Sequence, residues 1–130
     1  MIGIFNSKSK IIKAELDPVL EKLGYPKLKR GDVDKGRIWT SEKNTGGLTQ
    51  KITIQDVYNI LNIDLRTNVY AAKMIRVDEK EGILRFTEKG GNGVSYKNIN
   101  EFKNVIFRFK LLMEKDLVNE LEKLSMEQEK

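Results

Sequence analysis

The chain has 130 residues, 39% hydrophobic and 33% charged, with a formal net charge of +5. This composition is typical of one soluble globular domain with its own hydrophobic core. The sequence contains neither cysteine nor histidine. It therefore excludes disulfides, thiolate or imidazole metal sites, and catalysis by a Cys or His side chain.

These absences predict a non-enzymatic protein without a metal or cofactor, although chemistry based on carboxylate, lysine or tyrosine side chains stays open. No window approaches the ~18 apolar residues of a membrane span. A cytoplasmic location is expected by default, since the chain contains no cysteine.

The first predicted element is a helix over Ser9–Leu23. Apolar residues recur at helical spacing there, and Gly24 follows where a left-handed C-terminal cap belongs. Pro18 interrupts the pattern and leaves two alternatives. We favour one helix with a disturbed middle over a short helix that begins with Asp17 as its cap. Residues 1–8 fit either an edge strand or packing beneath a helix.

The middle of the chain alternates between apolar and polar residues, as short strands do. Residues 24–36 are rich in glycine and charge and predict a loop. The predicted strands cover residues 37–40, 48–54, 60–66, 72–77, 83–87 and 94–96. The spacing over Thr53–Leu65 is ambiguous, and we predict a turn or a short helical step near Asp56–Tyr58 before the third strand.

The clearest signal is a long helix from Asn98 to Leu124. Asn98 is a favourable cap, and Glu101 stands three residues on, where its side chain can bond back to that cap. The apolar residues follow at steps of three and four: Phe102, Val105, Ile106, Phe109, Leu112, Met113, Leu117, Leu121 and Leu124. Residues 125–130 are polar and predict a frayed tail, so the single domain spans residues 1–124.

This order predicts an α+β fold. It consists of an N-terminal helix, an antiparallel meander of five to six short strands, and a long C-terminal helix packed on the sheet. The alternative is a winged-helix core with helices at Thr53–Leu61 and Val69–Val77 and a wing at Asp78–Thr87. Its recognition helix would carry only Lys73 and Arg76 as cations, which disfavours it.

The strand KITIQDV is followed by NILNIDL, by a hairpin ending in GILRFTEKG, and by NGVSYKNINEFKNVI. The residues that carry the pattern are Ile52, Ile54, Asp56, Val57, Ile83, Leu84, Phe86, Glu101 and Phe102. With these motifs, residues 50–109 resemble small bacterial pleckstrin-homology-like domains. The resemblance implies a partly opened barrel with the long helix plugging one end, and a binding module in place of an enzyme. The length of that helix and the helix at Ser9–Leu23 depart from the basic fold.

The first candidate site is a basic cluster in the first third of the chain. The candidate anion or nucleic-acid contacts are Lys27, Lys29, Arg30, Lys35, Arg37 and Trp39. Lysine and arginine would contact phosphates while Trp39, helped by Tyr25, stacks on bases. Asp32 and Asp34 dilute the positive field, so a solvated loop with Trp39 in the core is the simpler interpretation.

The second candidate site is a seam of Leu117, Leu121 and Leu124 at the end of the long helix. We expect these leucines to extend beyond the sheet and to meet a protein partner or a second copy. The sequence therefore predicts a small non-enzymatic binding or protein-interaction module that has no small-molecule substrate. The alternative function is a nucleic-acid-binding accessory protein that uses the basic loop around residues 27–39.

Overall fold

The computed structural model describes residues 4–67, 73–88 and 93–129. Their elements, in chain order, are α1 (Ile4–Lys22), β1 (Lys29–Val33), β2 (Gly36–Thr45), β3 (Leu48–Val57), β4 (Ile60–Thr67), β5 (Lys73–Lys80), β6 (Ile83–Thr87), β7 (Val94–Ser95) and α2 (Ile99–Glu129). The predicted α+β class, with a helix at each end of an antiparallel sheet, is confirmed. Neither α1 nor α2, within these residues, is long and apolar enough to cross a membrane.

Strands β1 to β6 lie side by side in chain order, and the short β7 pairs with β4. The sheet is open and does not close into a barrel. Its register places Trp39 opposite Ile54 and Ile54 opposite Ile63. Directly opposed residues share a face of the sheet, so these side chains form an apolar row across the inner face, where all three are buried.

Both helices cover this inner face. From β2, the Trp39 indole donates a hydrogen bond from Nε1 to Ser9 Oγ on α1 at 3.0 Å, and α2 contributes the fully buried Phe102 and Phe109. The helices run in the same direction. Glu15 on α1 pairs with Lys110 on α2 at 3.4 Å, and the last turn of α1 lies beside residues 113–118 of α2.

Helix α1 begins at Ile4, earlier than the predicted Ser9, and continues through Pro18. The single helix that we favoured is therefore confirmed. Its cap is also as predicted, because Gly24 has a φ of 83°. The N–H groups of Gly24 and Tyr25 donate to carbonyl oxygens in the last turn of α1 at 3.0 and 2.9 Å, which is the left-handed termination that glycine favours.

Of the turn or short helical step predicted near Asp56–Tyr58, the turn is confirmed and the helical step is not formed. Strand β3 runs to Val57, and Tyr58 and Asn59 then form a two-residue turn with φ of 53° and 59°. Such a primed turn matches the twist of the two strands that it joins. The winged-helix alternative is wrong for the same reason, since Thr53–Leu61 is strand and turn and residues 73–80 are β5. Residues 68–72 of the proposed recognition helix lie outside the described residues.

The loop predicted over residues 24–36 contains the edge strand β1. Its sequence, KRGDV, has little β propensity, so the strand depends on pairing with β2, where Gly31 lies opposite Ile38. Lys35 adopts a φ of 63° in the turn that joins the two strands. Local sequence patterns do not reveal this strand, because its formation depends on pairing with residues of β2.

The predicted start of α2 is confirmed. The Glu101 N–H donates to Asn98 Oδ1 at 2.9 Å, and Asn98 Nδ2 lies 3.5 Å from Glu101 Oε2, as expected for a reciprocal cap. Helix α2 continues to Glu129, five residues beyond the predicted end at Leu124. Lys130 lies outside the described residues.

Gly93 and Gly47 have nearly the same φ, 81° and 84°, but different surroundings. A Cβ atom on Gly93 would lie 2.7 Å from Asn62 Oδ1 and 2.8 Å from the Leu61 carbonyl oxygen, whereas one on Gly47 meets nothing within 4 Å. We expect Gly47→Ala to lower the free energy of unfolding by about 1 kcal/mol through left-handed strain. Gly93→Ala should cost a further ~1–3 kcal/mol, because β7 must move away from β4.

Urea denaturation of the two glycine variants measures this difference directly. Equal losses would contradict the close packing of β7 on β4.

Candidate functional site

The structure spreads the predicted basic cluster along an edge of the sheet. The exposed cations are Lys27, Lys29, Arg30 and Lys35. The first three flank the start of β1, whereas Lys35 lies in the turn after its other end. Arg37 is half-buried, and its Nε lies 3.4 Å from Asp32 Oδ1. Charge on an edge strand also hinders unwanted pairing with another sheet.

The aromatic residues of that cluster are not available for stacking. Trp39 is 0% exposed and lies beneath α1. The predicted stacking of Trp39 on bases is therefore wrong, because the indole is part of the core. Tyr25 is buried as well, and its hydroxyl donates to Gln50 Oε1 at 3.1 Å. Burial raises the pKa of Tyr25 above its usual value.

The predicted leucine seam is also inside the molecule. Leu117, Leu121 and Leu124 belong to the hydrophobic core. The expectation that they extend beyond the sheet is wrong, because a wide sheet and the adjacent α1 cover much more of α2 than the sequence indicated. These leucines offer no free surface to a partner.

A different set of apolar residues on α2 is exposed. Phe107, Leu111 and Val118 are 46%, 49% and 46% exposed. They stand four and seven residues apart, so they share one side of the helix. That side is opposite the stripe that packs on the sheet. We call Phe107, Leu111 and Val118 the α2 ridge.

A groove separates the α2 ridge from α1. The end of this groove nearer the N-termini of the helices is lined by Lys10, Ile11, Lys103 and Phe107. Its continuation is lined by Val19, Lys22, Leu23, Met113, Glu114 and Val118. Apolar surface therefore extends from the ridge towards α1, with Lys10, Lys103 and Glu15 at one end and Lys22 and Glu114 near the other.

A second groove separates the α2 ridge from the β5–β6 hairpin. It is lined by Leu111 of the ridge and by Ile83, which is 66% exposed. Arg108 fixes the hairpin against α2, since its guanidinium pairs with Glu79 at 3.3 Å and donates to the Gly82 carbonyl oxygen. The apolar surface thus continues across the ridge to the hairpin.

We call the outward surface of α1 and α2 the two-helix face; it contains Lys10, Ile11, Lys103, Phe107, Leu111, Glu114 and Val118. Charge changes sign along it. Residues 4–14 of α1 hold three lysines and no acid, whereas residues 15–22 hold three acids and one lysine. Residues 99–111 of α2 hold three basic residues and one acid, whereas residues 112–129 hold six acids and two lysines. Lys8 is buried against Asp56, so the exposed lysines at the first end of the face are Lys10 and Lys103. The second end has Glu114 and Glu122, with Lys22 beside Glu114. Because the helices run in parallel, the first end is basic and the second end is the more acidic one.

A buried polar cluster joins α1 to the sheet. Lys8 on α1 donates from Nζ to Asp56 Oδ2 at 3.1 Å and to the Tyr96 hydroxyl at 2.6 Å. The Tyr96 hydroxyl donates in turn to the Asp56 carboxylate, at 2.7 and 2.8 Å from its two oxygens. The Tyr96 ring packs edge-on against Phe102, with centroids 5.1 Å apart.

This cluster is suited to holding elements together. Lys8, Asp56 and Tyr96 are 7%, 5% and 5% exposed, so they are largely shielded from solvent. Burial, and then the neighbouring Asp56 carboxylate, raise the pKa of Tyr96 far above its usual value. Tyr96 therefore keeps its proton and acts as a donor. It links α1, the end of β3 and the segment that enters α2.

The outer face of the sheet is polar. At its centre Arg76 Nε lies 3.3 Å from Asp64 Oδ1. Burial raises the pKa of Asp64, against the opposing effect of Arg76 and Arg66. Within residues 4–67, 73–88 and 93–129, no group of three or more Asp and Glu side chains is placed to hold a metal ion.

The sequence contains a signal for the buried polar cluster and another for the α2 ridge, although neither feature was predicted. Lys8 stands four residues before Ile12 on the apolar stripe of α1, and Asp56 follows Ile52 and Ile54 at the inward period of β3. A charge at a core position predicts a buried partner. The α2 ridge consists of apolar residues that fall outside the core stripe.

Comparisons of this chain with protein-family models, with curated proteins and with solved structures found no match.

Asp56→Asn leaves the buried Lys8 ammonium without a carboxylate. We expect it to lower the free energy of unfolding by about 3–5 kcal/mol. The matched control is Asp32→Asn, because Asp32 pairs with Arg37 while its side chain is 71% exposed; it should cost less than about 1 kcal/mol. Urea denaturation measures both, and the triple variant Lys8→Met/Asp56→Leu/Tyr96→Phe, which removes every polar group of the cluster, should recover much of the loss. Similar small losses for Asp56→Asn and Asp32→Asn would contradict the buried ion pair.

Tyr25 and Tyr96 both have a pKa raised from 10.0 in the folded chain. The unfolded chain releases these protons first as pH rises, so the free energy of unfolding should be constant with respect to these groups below about pH 9 and fall above about pH 10. Denaturation curves at a series of alkaline pH values measure the slope. Tyr25→Phe should make the slope smaller, and an unchanged slope in that variant would contradict the assignment.

Proposed function

We propose that this chain is a small protein-interaction module that binds its partner through the two-helix face. The observation that carries the proposal is the α2 ridge, where three large apolar side chains, each nearly half exposed, share one side of a helix. Grouped exposed apolar residues with polar surroundings mark protein contacts. The grooves beside the ridge give such a partner places for its own side chains.

The charges of the two-helix face define the chemistry of the partner. Lys10 and Lys103 are exposed at the basic end, and Glu114 and Glu122 are exposed in the acidic half of α2. A complementary surface is apolar at its centre, acidic where it meets the lysines and basic where it meets the glutamates. This partner is a folded protein surface, because the ridge runs ~16 Å along the helix from Phe107 to Val118.

Two further observations support a binding role. The Lys8–Asp56–Tyr96 cluster is sealed from solvent, and its tyrosine holds its proton, so the arrangement is structural. The resemblance of residues 50–109 to pleckstrin-homology-like domains also implies a binding module. We expect this module to act in the cytoplasm and without turnover of a substrate.

The alternative, a nucleic-acid-binding accessory function, has weaker support. Its four exposed cations stand along an edge strand, and the aromatic residues proposed to stack on bases are in the core. Single-stranded nucleic-acid sites combine both features. The two-helix face has the stronger combination of apolar surface and ordered charge.

A photoreactive phenylalanine analogue tests the proposed surface in the native host. We expect the analogue at position 107 to form a defined protein adduct on irradiation, because Phe107 is on the face. The matched control is the same analogue in place of Tyr58, another exposed aromatic residue, which lies at the tip of the β3–β4 hairpin. Denaturing gels and mass spectrometry of the joined peptides measure the adducts.

The adduct at position 107 should disappear when Leu111→Glu is added to the same chain. No adduct at position 107, or equal adducts at positions 107 and 58, would overturn the proposed surface.

A further inference from the structure

The charge order along α1 and α2 opposes the helix macrodipole. The partial positive charge at a helix N-terminus favours acids, and the partial negative charge at the C-terminus favours bases. Only Glu101 in the first turn of α2 and Lys22 in the last turn of α1 follow that rule. Most of the remaining charges follow the reverse order, and Lys115 and Lys123 in the second half of α2 are exceptions.

The parallel packing of the helices adds to the electrostatic cost of this charge order. The basic half of α1 adjoins the basic half of α2, and the two acidic halves adjoin as well. An ion pair between the two helices, Glu15 with Lys110 at 3.4 Å, lies where the charge changes sign along them. Exposed like charges on neighbouring helices repel, so this pattern does not serve the stability of the single chain.

We infer that the partner of the two-helix face is a second copy of this chain, packed with its helices antiparallel to those of the first. The inference rests on the proposed function, and it names the partner. A two-fold axis through the middle of α2 places each basic half against the acidic half of the other copy. It also brings the macrodipoles of the facing helices into the favourable antiparallel arrangement.

The positions of the ridge residues fit such an axis. Phe107 and Val118 are equally distant in sequence from the point between Leu112 and Met113, and so are Lys103 and Glu122. About this point, Phe107 meets Val118 of the other copy, Leu111 lies close to the axis, and opposite charges meet at both ends. A second copy therefore offers the complementary surface that the two-helix face needs, with an apolar centre and one acidic and one basic end.

The surface is long enough for one helix to lie along another. The span from Lys103 to Glu122 is ~29 Å along α2, and α1 and the β5–β6 hairpin widen it on either side. A stable interface buries about 800 Å² on each partner. The exposed apolar core of Phe107, Leu111 and Val118 supplies the central contacts that dominate such interfaces.

Light scattering of the purified full chain over a dilution series tests the inference. We expect a concentration-dependent monomer–dimer equilibrium. Leu111→Glu should raise the dissociation constant by about tenfold or more, because it places two like charges near the axis. The control Tyr58→Asp adds the same charge at an exposed apolar site off the face, in a turn whose positive φ suits Asp, and should leave the equilibrium unchanged.

Salt and charge reversal test the orientation. In the antiparallel dimer opposite charges meet, so added salt should raise the dissociation constant; a parallel dimer would bring like charges together, and salt would lower it. Lys103→Glu alone should weaken the dimer, and Lys103→Glu/Glu122→Lys should recover it. Circular dichroism checks that each variant is folded.

A monomer at all concentrations would overturn the inference. In that case a cross-linked adduct between position 107 and a different protein leaves the proposed function standing, whereas the absence of any adduct overturns both. A dimer that is insensitive to Leu111→Glu, or that becomes tighter with salt, would also overturn the antiparallel arrangement.

Discussion

The packing of two parallel helices on one face of an open sheet is the constraint on which the other features depend. It buries the apolar row of Trp39, Ile54 and Ile63 and turns the predicted nucleic-acid tryptophan into a core residue. It encloses the end of α2, so that Leu117 is core as well. What stays outside is the side of α2 that neither the sheet nor α1 can reach, and the ridge residues occupy it.

The buried polar cluster fixes where α1 lies on the sheet. An apolar helix face could slide or rotate on an apolar sheet at little cost, since hydrophobic contact has no direction. Lys8 removes that freedom, because its ammonium is buried and needs both Asp56 and the Tyr96 hydroxyl. The same three side chains tie α1 to the entry of α2, so they also set the parallel register of the helices and thereby the shape of the two-helix face.

Local chemistry made part of the fold predictable. The cap by Asn98, the termination at Gly24 and the alternation in β4 depend on residues near in sequence, and all three were confirmed. The core position of Trp39, which was the simpler interpretation of the basic cluster, is confirmed. The strand β1 depends on its pairing with β2, so local patterns could not place it. The turn at Tyr58–Asn59 could not be told from a helical step by sequence, because neither residue is the glycine that usually marks a positive φ. The candidate surface was missed for a related reason: Phe107, Leu111 and Val118 were apolar but lay off the core stripe, and which side of a long helix stays open depends on what packs beside it.

In the proposed dimer, a charge order that is unfavourable within the chain becomes favourable between chains. The α2 ridge is then open in the single chain and closed by a second copy. Paramagnetic relaxation of methyl groups by a soluble probe, measured over a dilution series, tests this claim most directly. We predict that the methyl groups of Leu117 and Leu121 are protected at every concentration, whereas those of Leu111 and Val118 are accessible in dilute solution and become protected as the concentration rises. Leucine methyl groups at 117 and 121 as accessible as those at 111, or ridge methyl groups whose accessibility does not change with concentration, would contradict it.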